Sequence, residues 1–145
     1  MATLVDTNVL LRSLHPAHLH HGAAERAVAT LRLQGEVLCV APQNLMEFWA
    51  VATRSVAENG LGMSFGLAAQ ELATLRRLFT LLPSTPEILE AWQRIVISLG
   101  ISGKQTHDAH LVAAMQHYSV RNILTFNAVH FKRFPGIGVI DPAQF

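Results

Sequence analysis

The chain reads as a single α/β domain, residues 1–145, in which strands and helices alternate around a mainly parallel sheet. Three observations carry this. Short apolar runs recur along the chain, bounded by turn residues. Segments with apolar residues at helical spacing separate them. No repeat, low-complexity tract or linker divides the 145 residues, a length that fits one core.

The elements follow in order. Ala2–Asp6 is an apolar run that ends in Asp6-Thr7-Asn8, a strand leading into a helix start. His18–Leu33 places Ala23, Ala24, Ala27, Val28 and Leu31 at helical spacing, and Gly35 ends it. Val37–Ala41 is a second buried strand. Pro42 stands where a first helical turn tolerates proline, and the helix runs to about Glu58. Asn59-Gly60 and Gly62 make a loop, with Ser64 capping a helix over Phe65–Arg77. Phe79–Leu82 is a short strand closed by Pro83. Thr85 caps Pro86–Leu99, where Glu90 and Arg94 are spaced to pair. Gly100–Gly103 turns the chain into a helix over Lys104–Tyr118. Asn122–Phe126 is a strand followed by a helical turn through Phe131, and Gly138–Ile140 is a last strand stopped by Asp141-Pro142.

Composition narrows the class. Half the residues are hydrophobic, only 14% are charged, and mean hydropathy is +0.29, which excludes a disordered chain. No apolar run reaches the roughly 20 residues of a membrane span. Met1–Asp6 lacks a basic region and meets an acid at once, so no signal peptide is expected. A lone cysteine, Cys39, suits the reducing cytoplasm. The net charge of +1 gives no strong footprint for nucleic acid, although basic residues can cluster in space.

Scarce charge makes three acids conspicuous. Asp6 is the only charged side chain in Met1–Leu11, Glu47 the only one in Pro42–Thr53, and Asp108 the only formal charge in Gln105–Val120. Carboxylates in apolar segments call for a partner, a proton or a cation. Singly, each has a plainer role open to it: Asp6 as a helix cap, Glu47 as partner of a distant arginine, Asp108 as a first-turn acid. Topology places all three, with Asn127, at the strand C-terminal and helix N-terminal edge where open α/β sheets bind ligands. Converging acids there point to a cation, and oxygen-only ligands suit Mg²⁺ or Mn²⁺.

In order and spacing, Val5-Asp6-Thr7-Asn8-Val9-Leu10, Asn44-Leu45-Met46-Glu47-Phe48, His107-Asp108-Ala109 and Ile123-Leu124-Thr125-Phe126-Asn127 before Val129-His130-Phe131 resemble the PIN-domain family. The likeness is strongest to the ribonuclease toxins of VapBC-type toxin–antitoxin pairs, and it covers essentially the whole chain. It implies a three-layer α/β/α sandwich and a metal-dependent endoribonuclease that hydrolyses RNA phosphodiester bonds. By position, Asp6, Glu47 and Asp108 match the family's three core acids, which hold Mg²⁺ or Mn²⁺. Asn127 matches a fourth catalytic position that is often Asp, and Thr7 and Thr125 match hydroxyl residues that help orient the site. His130 stands where Asp or Glu often precedes the Phe. The resemblance also implies a homodimer, a cognate antitoxin lying in an apolar groove, and an RNA substrate, with tRNA among the folded RNAs to test.

The alternative is a PIN-like RNA- or protein-binding module without catalysis, for which Asn127 and His130 speak and the three intact acids do not. A haloacid-dehalogenase phosphotransferase is disfavoured because Asn8 stands where that class has its second Asp. A dinucleotide-binding Rossmann protein is disfavoured because no Gly-rich turn follows the first strand. Outside the acids, His15-Pro16-Ala17-His18-Leu19-His20-His21 is a local cluster in which His18 and His21 could meet on one helical face and bind a transition metal, against the plainer reading of a solvated turn. Arg12, Lys104, Lys132 and Arg133 are candidates for an RNA backbone.

Overall fold

The computed structural model describes all 145 residues. Its five strands are β1 (Ala2–Val5), β2 (Val37–Val40), β3 (Thr80–Leu81), β4 (Asn122–Leu124) and β5 (Gly138–Ile140). They form one sheet in the order β3-β2-β1-β4-β5, with every neighbouring pair parallel. Chain order runs outward from β1 on one side and then restarts at β4 on the other. The switch point between β1 and β4 is where such sheets open a crevice at their C-terminal edge.

The helices are α1 (Thr7–Ser13), α2 (His21–Leu33), α3 (Pro42–Thr53), α4 (Phe65–Leu78), α5 (Pro86–Leu99), α6 (Gln105–His117) and α7 (Ala128–Phe131). Two cores show how they layer. Val5, Leu38, Val40 and Leu124 pack with Val9 and Leu10 of α1, Ala27 of α2, Phe48 of α3 and Leu75 of α4. The intervening strand residues Leu4, Cys39 and Ile123 pack instead with Leu111, Val112 and Met115 of α6 and Phe131 of α7. Side chains alternate across a strand, so each strand feeds both cores and reads as a continuous apolar run. The result is the expected α/β/α sandwich.

Local signals explain most boundaries. Ser64 and Thr85 cap α4 and α5 by accepting from the N–H groups of Leu67 and Ile88. Gly100 closes α5 at φ 64°, in the left-handed region that costs glycine nothing. Three expectations shift. α1 starts at Thr7, where a helix start was expected, but the helix after it begins at His21 rather than His18. α3 stops at Thr53, before the expected Glu58, because the loop caps it: the N–H groups of Leu61, Met63 and Gly62 donate to the carbonyls of Val51, Ala52 and Arg54. Gly60 permits that return, since a Cβ there would sit 2.0 Å from the Arg54 carbonyl oxygen. Glu90 and Arg94 do not pair; both ion pairs of the chain involve histidine.

Candidate active site

β1 and β4 end side by side, and Asp6 and Thr125 are the residues that follow them. Asp6 is buried and caps α1, its Oδ1 accepting from the Thr7 N–H at 2.8 Å. Its Oδ2 accepts from the Thr125 hydroxyl at 2.7 Å and from Asn8 Nδ2 at 3.4 Å. Thr125 Oγ1 in turn accepts from the Asn127 N–H at 2.9 Å. The plain structural role of Asp6, as a cap, is therefore real, yet it occupies only one of the two carboxylate oxygens.

Thr7 ties the second acid to the first. Its hydroxyl donates to Glu47 Oε2 at 2.8 Å and accepts from Asn44 Nδ2 at 3.1 Å. Asn44 is fully buried, and its Oδ1 accepts from the Ala41 N–H at 2.9 Å, which locks the first turn of α3. Pro42 starts that turn with φ preset and no N–H to satisfy. One turn before Glu47, Gln43 Nε2 donates to Glu47 Oε1 at 2.7 Å and to the His107 carbonyl at 3.1 Å. Both partners only accept, so the amide has one orientation, and Gln43 Oε1 faces His110 Nδ1 at 2.7 Å. His110 must then carry a proton on Nδ1. The chain His110–Gln43–Glu47–Thr7–Asp6 links α6, α3 and the end of β1.

Asp108 lies in the first turn of α6, half-buried, with His130 Nδ1 3.9 Å away. Burial raises its pKa; His130 opposes the rise, and Glu47 adds to it. Asp6 is pushed from 3.8 to about 6, mainly by burial, with Glu47 and Asp108 contributing against the hydrogen bonds from Thr125 and Thr7. Asp6 thus feels Glu47 and Asp108, Asp108 feels Glu47, and no lysine or arginine pairs with any of the three. As they are placed, no three histidines, cysteines or acids of the chain converge into a group that could hold a metal ion.

The structure brings Asp6, Glu47, Asp108, Thr7 and Thr125 to one edge of the sheet. Asn127 arrives through its backbone alone; its side chain is exposed and caps nothing. Asn8, Gln43 and Asn44 are polar supports to which the sequence reading gave no role, while His110, read from sequence as flanking the site and able to contact phosphate or act as an acid, is held by Gln43. Gln43 and Asn44 did carry a signal, standing four and three residues before Glu47 on an otherwise apolar helix. Of the basic candidates, Arg133 is spent on the Gln105 side chain and the Leu99 carbonyl, while Lys104 and Lys132 are exposed.

The PIN domain family model matches residues 3–137. No curated protein sequence matches the chain. Among solved structures, VapBC2 from Rickettsia felis, bound to a DNA fragment from its promoter, has a TM-score of 0.75 at 12% identity, over 97% of this chain and 98% of that one. FitAcB from Neisseria gonorrhoeae has a TM-score of 0.72 at 16% identity over 100% of both chains. VapC20 of Mycobacterium tuberculosis, described as a sarcin-ricin loop cleaving toxin, has a TM-score of 0.62 at 20% identity, over 85% of this chain and 87% of that one. At such identities these likenesses concern the fold.

Proposed function

This chain belongs to the PIN domain family, and from that premise we propose that it is a metal-dependent endoribonuclease, the toxin of a toxin–antitoxin pair. The observation that carries the reading is the set of three mutually repelling carboxylates, Asp6, Glu47 and Asp108, at the sheet's C-terminal edge with no lysine or arginine to neutralise them. Their donor chemistry fits Mg²⁺ or Mn²⁺: hard oxygen atoms and excess negative charge, for ions that keep several waters and need no all-protein cage. Asp6, Glu47 and Asp108 would hold it.

When bound, such an ion polarises a phosphate and lowers the pKa of an attacking water. The chain's own residues prepare for this. Thr125 and the Thr7 N–H hold Asp6 in one rotamer, while the Thr7 hydroxyl and Gln43 fix both oxygens of Glu47. Preset carboxylates need no reorganisation when charge builds up on a phosphate. Asn127, exposed beside Thr125, is free to offer its amide to substrate or water.

A structural neighbour from Klebsiella pneumoniae described as a toxin–antitoxin complex supports a cognate antitoxin as partner. A homodimer and a cytoplasmic location belong to the same reading. No helix is long and apolar enough to cross a membrane.

The test is cleavage of folded RNAs, tRNA included, by purified protein. Cutting is expected with Mg²⁺ or Mn²⁺, is lost in EDTA, and returns when the ion is restored. Cutting that persists unchanged in EDTA would contradict the proposal, and RNA binding without any cutting would favour a non-catalytic module. Gln43→Ala frees one oxygen of Glu47. It is expected to lower kcat/KM roughly 10- to 100-fold, as losing a partner that orients a metal ligand does, with little change in the unfolding midpoint.

A further inference from the structure

A row of rings runs from the loop between α1 and α2 to the edge of the acidic site. The centroids of His15 and His18 are 5.5 Å apart, those of His18 and His20 5.4 Å, and those of His20 and Phe126 4.9 Å. The tilt between successive rings falls from 50° to 38° to 27°, so the last pair is stacked. Phe126 stands between Thr125, which holds Asp6, and Asn127, and its N–H donates to Asn8 Oδ1 at 3.2 Å. The row therefore ends one residue from the hydroxyl that orients Asp6.

The fold accounts for the neighbouring His21 and leaves these rings over. His21 Nδ1 donates to the Arg12 carbonyl at 2.9 Å, and its Nε2 lies 3.3 Å from Glu25, so it does not join His18 at a metal. His15 Nδ1, by contrast, is buried without a hydrogen-bond partner. His18 Nδ1 accepts from the His20 N–H at 3.0 Å, which leaves Nε2–H as the donor of the neutral ring. His20 is exposed, and Leu19 beside it is 89% exposed. Besides burial, Arg12, His20 and His15 lower the pKa of His18. A cluster that can only be neutral or positive thus adjoins a site that is negative. Successive rings lie about 5 Å apart, the spacing of aromatic pairs.

We propose that His15, His18, His20 and Phe126 form a substrate subsite that stacks unpaired bases of single-stranded RNA beside the site of cleavage. The inference rests on the ribonuclease reading and adds the place beside the site where unpaired bases are held. Every base has a π-face, so stacking on aromatic rings tolerates any sequence, and imidazole N–H edges add donors for base or phosphate oxygens.

The probe is a short fluorescent single-stranded RNA, with and without one abasic nucleotide, bound in EDTA so that it is not cut and read by anisotropy. His20→Ala, at an exposed position, and Phe126→Leu, which keeps apolar bulk against the core, are each expected to weaken binding of the intact RNA about 10-fold. His20→Phe is expected to restore it, because the stacking face returns without the imidazole. The abasic RNA is expected to lose most of this difference between the wild type and the variants. Equal binding of intact RNA by wild type, His20→Ala and Phe126→Leu overturns the subsite and leaves the ribonuclease reading standing. So does saturable Zn²⁺ binding that His20→Ala removes while RNA affinity stays unchanged. Wild-type protein that neither binds nor cuts any RNA overturns the ribonuclease reading, and the subsite with it.

Discussion

Asp6→Asn is expected to abolish RNA cleavage and, above about pH 6, to make the protein more stable. The loss of activity follows from removing one of three carboxylates that would hold the ion. Stabilisation of several kcal/mol at the reacting phosphate depends on that ion, so a fall of about 100-fold or more is expected. The gain in stability follows from burial. The folded pKa of Asp6 is raised from 3.8 to about 6, so between those values the folded state binds more protons than the unfolded one. Stability associated with Asp6 is complete below pH 3.8, falls as pH rises through the window, and stays reduced above about 6. The shift corresponds to about 3 kcal/mol. Asparagine does not ionise, so the variant escapes this loss. Asp108, also raised, acts in the same direction, whereas His18 and His110, both lowered, act in the opposite one. The difference between wild type and Asp6→Asn, measured by urea unfolding without divalent ions from pH 3 to 8, isolates the Asp6 contribution. A difference that shrinks with rising pH contradicts the account.

Phe48→Ala is expected to do the reverse. Phe48 is fully buried in the core, one residue from Glu47 and so about 100° further round α3. Truncating it leaves a cavity and removes about 3–5 kcal/mol of stability, a drop in unfolding midpoint on the order of 10 °C. The partners of Glu47, Thr7 and Gln43, are untouched, so the folded fraction at low temperature is expected to retain cleavage. Thermal unfolding monitored by circular dichroism, alongside the cleavage assay at low temperature, checks both halves. Together the two variants separate groups that build the fold from groups that strain it: one is active and fragile, the other silent and stable.

The acids were legible because charge is scarce. Asp6, Glu47 and Asp108 each stand alone in an apolar stretch, and alternation of strands and helices places them on one edge. α5 and β5 fall where local signals put them, since Thr85, Gly100 and Pro142 act on their immediate neighbours. What was not legible depends on contacts far apart in the chain. Gln43 meets His110 across 67 positions, Asn44 meets Thr7 across 37, and Asn8 meets Thr125 across 117. The early end of α3 is of the same kind, set by Leu61, Gly62 and Met63 folding back on its last carbonyls rather than by helical periodicity. The ring row closes only when β4 brings Phe126 to His20.

The most direct measurement of the central claim is a crystal structure with Mn²⁺ soaked in, read by anomalous scattering. The account predicts a peak bounded by oxygen atoms of Asp6, Glu47 and Asp108, lost in Asp108→Asn. A cleavage-active protein whose Mn²⁺ lies elsewhere, away from these three carboxylates, would contradict it.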